Sequence, residues 1–198
     1  MIINMNLDQS VSINTNKCNW AITPHHGILR KKLERELSEI GHATSIVQYK
    51  PGSSFKYHSH PNGEEILVLN GTFSDQFGHY KKGAYIRNPP NSSHAPFSKG
   101  GCTLFVKLNQ FPAGDTSRVC IDTLNTPWLT GQGNLQVMPL HSFENQHVAL
   151  VKWPSHEQFQ THTHIGGEEI YVISGELIDE HGRYPAGTWL RNPHMSQH

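Results

Sequence analysis

The chain of 198 residues has no apolar run of roughly 18 residues, the least that crosses a bilayer as a helix, so no membrane span is expected. Its opening residues, MIINMNLDQSVSINTN, lack the basic start and apolar core of a signal peptide, and a soluble, cytoplasmic chain is expected. There is no surplus of either charge, with 16 Lys plus Arg against 16 Asp plus Glu. That balance offers no electrostatic footprint for nucleic acid or an anionic lipid surface, which leaves small molecules and proteins as the expected partners. Cysteine is scarce as well. Cys18, Cys102 and Cys120 are odd in number and widely scattered, which fits neither a disulfide framework nor a C-x-x-C zinc knuckle, so ordinary buried or partly buried thiols are expected.

Histidine, by contrast, is abundant, with 15 in the chain, and imidazole is the commonest metal-ligating side chain. The positions of these histidines follow an internal repeat. Shifting the chain by 104 residues lays HSHPNGEEILVLNGTFSDQFGHYKKGAYIRNPPNSSH (58–94) on HTHIGGEEIYVISGELIDEHGRYPAGTWLRNPHMSQH (162–198) without a gap, with 17 identities in 37 positions. Upstream, Val47 matches Val151, and Trp20 matches Trp128 after a change in spacing. The chain therefore divides into two units of similar design, 1–115 and 116–198, with FPAGDTSRVCIDTLNTP as the surface connection between them.

Within each unit, short apolar runs separated by Gly, Pro, Asn and Asp predict antiparallel β structure. The expected strands are TSIVQY, EEILVLNGTF, AYIRN and CTLFVKLNQF in the first copy and VALVKW, EEIYVISGEL and TWLRN in the second. Residues 28–40, ILRKKLERELSEI, carry helix-like Leu and charge spacing and suit a short helix or a long edge strand.

Residues i and i+2 of a strand share a face, so His58 and His60 can aim at one point. Glu64 can close on that point if PNG turns back, and His94 would arrive from a later strand. Three neutral imidazoles and one carboxylate suit a divalent transition metal and leave positions open for water or substrate. His162, His164, Glu168 and His198 repeat the set, one metal per unit. A lone H-x-H is more often a pair of solvated histidines; what argues against that reading is the identical spacing of four ligand types while about half of their neighbours change. Glu65 and Glu169 point the other way and are expected in the scaffold, and Arg87 and Arg191 are expected in turns and buried ion pairs.

The stretch GSSFKYHSHPNGEEILVLNG resembles the first cupin motif, with Gly52, His58, His60, Glu64 and Gly71 in its slots. Gly83, Pro89 and His94 fill the second motif, and His162, His164, Glu168, Gly175, Gly187, Pro193 and His198 repeat the pattern. The resemblance implies an all-β bicupin, two jelly-roll barrels in tandem. His156 stands where the first motif wants glycine, and Asn91 and Met195 replace the glycine usual before the last histidine. Asn tolerates a left-handed turn, whereas Met does so at a cost.

More narrowly, H-x-H-x-x-G-E-E, F-S-D-x-x-G-x-Y and Y-x-R-N-P-P-x-S-S-H-x-P-F-S resemble the cupin domain of the ChrR anti-sigma factors. That resemblance implies zinc, although a shell of three His and one carboxylate also takes iron, manganese, nickel or copper, and it implies a sensor or regulatory module with a sigma factor as partner. The His plus C-x-x-C motif of that family's sigma-gripping domain has no match; Cys18 alone precedes the first cupin strand. The same branch resembles small metal-dependent dioxygenases that cleave diketones or hydroxyketones, which implies an enzyme with Tyr49, Phe55, Phe105, Trp153 and Phe159 near its pockets or in its cores. After His94 the first copy continues with APFSKGGCTLFVKLNQF, whereas His198 is the last residue of the second. Either a further tail supplies the closing strands, or the alternating SVSINTN does so, in cis or from the partner in a homodimer.

Overall fold

The computed structural model describes residues 2–37, 41–158 and 161–197. Among them there is no α-helix, only a three-residue 3-10 turn, Thr15–Lys17; the rest of the regular structure is antiparallel strand. In the first copy Ala84–Asn88, Glu64–Asp75, Cys102–Leu108, Ala43–Tyr49 and Ile28–Arg35 lie side by side in that order. Shorter pairs complete the unit: His58–His60 with Ser92–His94, and Ser53–Ser54 with Phe97–Ser98. The long strand Glu64–Asp75 serves two sets of partners. Its first half pairs with Cys102–Leu108 and Ala84–Asn88, and its second half pairs with Gly78–Lys81. The change of partner falls at Gly71, which has φ +74° and where an added Cβ would lie 2.2 Å from the Gly101 carbonyl oxygen. Only glycine fits such an approach.

Residues 28–35 form a strand, not a helix, paired with 43–49 and bulged at Leu33. The charge and Leu spacing there is compatible with both forms, and a full ladder to the next strand decides between them. Residues 38–40, the end of that segment, lie outside the described residues.

The second copy repeats the plan with shorter strands. Gln136–Phe143 pairs with Gln146–Lys152, Thr163–His164 with Ser196–Gln197, and Glu168–Tyr171 with Thr188–Asn192. Among the described residues no strand joins Gln146–Lys152 to Glu168–Tyr171 as Cys102–Leu108 joins their counterparts. The SVSINTN segment does not take that place. Its strand Val11–Asn14 instead pairs in cis on the outer edge of Thr188–Asn192, with Val11 opposite Arg191. Val119–Asp122 lies inside the segment expected as a surface connection and is instead a strand, paired in the same way on Ala84–Asn88 with Val119 opposite Arg87. The strand that leads each copy thus lies in the sheet of the other.

This exchange explains why the central strands read as nearly continuous apolar runs: they are buried on both faces. Ile66, Val68, Ile86, Leu104 and Val106 fill the interior of the first copy. Their alternates face the second copy. Ile46 and Leu33 pack against Trp189 with Phe105 and Tyr171 alongside, while Tyr85 packs against Met138 and Leu140 with Leu150 alongside. Phe105, expected near the pocket, stacks on Tyr171 of the other copy at 5.1 Å between ring centroids, because Leu104 and Val106 already take the inward positions. Trp153 is 42% exposed, and Phe159 lies outside the described residues.

Candidate metal centre

The centre forms where the His58–His60 strand meets Ser92–His94, whose register sets His94 opposite His58 and Ser92 opposite His60. Opposite residues of an antiparallel pair share a face, so all three imidazoles point inward. Their ligating nitrogens lie within 4.8 Å of one another. His60 Nε2 is 3.0 Å from His94 Nε2, and the Glu64 carboxylate lies 3.5 Å from His60 and 3.4 Å from His94. Ligands about 2.05 Å from a tetrahedral ion lie about 3.35 Å apart, so the spacings among His60, His94 and Glu64 are close to those of a divalent transition-metal shell, while His58 stands within 4.8 Å of the other two imidazoles. Glu64 reaches inward because it alternates with Glu65 on one strand, and the Asn88 amide donates to its carboxylate at 3.2 Å.

The atoms behind the imidazoles set their tautomers. His58 Nδ1–H donates to the Lys56 carbonyl at 2.8 Å, and His94 Nδ1–H donates to the Asp75 carboxylate at 3.2 Å. Each bond leaves Nε2 with its lone pair toward the centre. Asp75 is itself fixed by the Phe77 and Gly78 N–H groups and the Tyr80 hydroxyl. Burial alone would raise the pKa of this carboxyl, but the bonds from His94, Phe77 and Tyr80 outweigh it and hold the pKa below the usual carboxylate value. Burial, with help from His94 and His58 and against the pull of Glu64, lowers the pKa of His60 and favours its neutral ring, the form that a metal would require. Asp75 escaped the sequence reading. The available signal was its repetition as Asp179 in D-x-x-G-x-Y, where Asp179 accepts from Gly182 N–H and the Tyr184 hydroxyl.

In the second copy His162 and His164 lie 4.4 Å apart between ring centroids, and His164 Nε2 is 3.6 Å from Glu168. His198, the fourth expected member, lies outside the described residues. The positions that depart from motif glycines all have left-handed backbone: Asn91 at φ +65°, His156 at +66° and Met195 at +62°.

Glu65 and the paired arginines belong to the junction between copies. Buried Arg87 donates to Glu65 at 2.6 Å and to Asp115 at 2.7 Å, and Asp115 also meets His141 at 2.7 Å. Arg191 donates to Glu34 and to the carbonyls of Asn4, Asn6 and Gln9, and Glu34 also meets His42. Glu169 accepts from Lys107 and from the Trp189 indole. Of the cysteines, Cys102 is buried, Cys18 is partly buried and Cys120 is exposed, the last contrary to expectation because it sits on the outer edge strand. No helix among the described residues is long and apolar enough to cross a membrane.

Several solved structures share this architecture. A putative dioxygenase from Nostoc punctiforme superposes with a TM-score of 0.76 at 17% identity, over 96% of this chain and 77% of that one. Protein Ylba from E. coli gives 0.72 at 13% identity over 97% and 86%, and a putative glyoxylate-induced protein from Pseudomonas aeruginosa gives 0.69 at 12% over 99% and 83%. At such identities the likeness establishes the fold. No curated protein matches the sequence. The ChrR cupin-like domain matches twice, over residues 8–112 and 116–198, and the chain belongs to that family as an all-β tandem cupin.

Proposed function

We propose that this chain is a metal-binding bicupin, divided near residue 115, in which a ligand is recognised beside a divalent metal and the result is passed on as a sensor or regulatory module. The observation that carries the reading is the cluster of three imidazoles, with the Glu64 carboxylate beside two of them. His58, His60, Glu64 and His94 would hold the ion in the first copy, and His162, His164, Glu168 and His198 would hold one in the second. Zinc is the first choice, through family membership. A bound divalent ion would supply Lewis acidity toward an oxygen donor. The protein's own contribution is orientation: Asp75 and the Lys56 carbonyl fix two rings, and Asn88 holds the Glu64 carboxylate.

Elemental analysis of untagged protein, compared with Glu64→Ala and Glu168→Ala, tests the assignment. Each variant is expected to lose about one equivalent of metal, and unchanged stoichiometry in both overturns it. A second reading, a metal-dependent dioxygenase for a small carbonyl compound, draws on the cavity that opens at His94. Oxygen consumption that requires ferrous iron would favour it; tight zinc with co-purification of a sigma factor would favour the regulator.

A further inference from the structure

A cavity of about 180 Å³ opens beside the first centre, lined by Phe77, Asn88, Ser92, Ser93, His94 and Arg118. At about 30 Å³ per water it has room for roughly six waters, which suits a small organic acid. Two polar groups on its wall stand out. Ser92 lies two residues before His94 on the same strand, so both face inward, and its buried hydroxyl has no hydrogen-bond partner. Such a group is costly to bury unless something completes it. Arg118 precedes Val119, which pairs with Arg87, so the antiparallel register carries it across from Asn88, whose amide holds Glu64. Its guanidinium lies 4.3 Å from the centroid of the Phe77 ring, and no carboxylate of the described residues pairs with it. The cation is therefore steadied by a ring and keeps its donors for a ligand.

We propose that this cavity is a carboxylate subsite, in which Arg118 and the Ser92 hydroxyl grip the carboxylate of a small organic acid whose other end lies toward His94. The proposal names the ligand class for the site described above and rests on that reading. It also assigns a purpose to the strand exchange, because Arg118 immediately precedes the leading strand of the second copy and serves the centre of the first. By the matching register, Val11 opposite Arg191, the equivalent position in the other centre is Ser10, which has no charge. One acid per chain is expected.

Pyruvate titrated calorimetrically into the metal-loaded full chain, with methyl pyruvate as the neutral probe and chloride held constant, tests the proposal. Pyruvate should bind with a stoichiometry near one, and more tightly than the ester. Arg118→Gln should weaken it about 10- to 100-fold, the range for losing a charged hydrogen-bond partner, with Arg118→Lys intermediate and the metal content of both variants unchanged. Arg118 is exposed, so neither variant threatens the fold. Equal binding of acid and ester, or equal pyruvate affinity in wild type and Arg118→Gln, overturns the subsite. Failure of the metal reading shows separately, as unchanged metal content in Glu64→Ala.

Discussion

Replacing Asp75 by Asn removes one charge from behind His94 while keeping size and shape. The amide oxygen of the new side chain can still accept from the Phe77 and Gly78 N–H groups in place of the Asp75 Oδ1 that does so now. That orientation turns the amide NH₂ toward His94 Nδ1, where Asp75 Oδ2 now accepts at 3.2 Å. Two donors then face each other, and the imidazole relieves the conflict by moving its proton to Nε2, the atom that would ligate. Loss of such an outer partner typically weakens metal affinity 10- to 100-fold. The 3.2 Å separation is at the long end for N–H···O, which places the expected loss nearer tenfold, about 1.4 kcal/mol. Competition against a zinc chelator, on the full chain, measures it. Tyr80→Phe, which removes a bond to the other carboxylate oxygen and leaves the charge, should stay within about twofold of wild type. An Asp75→Asn protein that matches wild-type affinity at the first centre would refute the tautomer argument.

Two further outcomes are expected. Met195 sits at φ +62°, where a side chain costs about 1–2 kcal/mol, part of which Met195→Gly would return to the unfolded chain as entropy; a net gain of about 0.5–1 kcal/mol in urea unfolding is expected, and a loss would show that the turn is not strained. Glu34 is pushed up by burial, yet its bonds with His42 and Arg191 hold its pKa below the reference value of 4.5. With the folded pKa below the unfolded one, its contribution is present at neutral pH and disappears as the pH falls from about 4.5 through the folded value. Glu34→Gln should flatten the acid side of the stability profile measured by urea midpoints, and an identical slope in the variant would exclude this linkage.

Much of the site was legible because its information is local. H-x-H on a strand, the alternation of Glu64 with Glu65, and Asn at the turn before His94 follow from a two-residue period and from backbone preferences. The repeat made those weak signals strong. Asp75 was harder to find, since a D-x-x-G-x-Y hairpin accounts for its backbone bonds and gives no sign that the second carboxylate oxygen reaches His94 across the barrel. Residues 28–35 read as either form because charged residues with Leu between them suit a helix, and also a strand flanked by a ladder.

The amino-acid sequence alone determined the all-β class, the tandem organisation and which side chains could share a face, because strand period and turn residues act over a few positions. Which strand pairs with which was decided only in three dimensions. Val11–Asn14 and Val119–Asp122 carry similar alternating patterns and could edge either sheet. Burial of Trp189 against Leu33 and Ile46, of Tyr85 against Leu140, and the buried Arg87 and Arg191 networks accompany the crossed arrangement. These contacts join residues far apart in the chain, and no local period encodes them. The same crossing brings Arg118 to a centre built by the other half of the molecule.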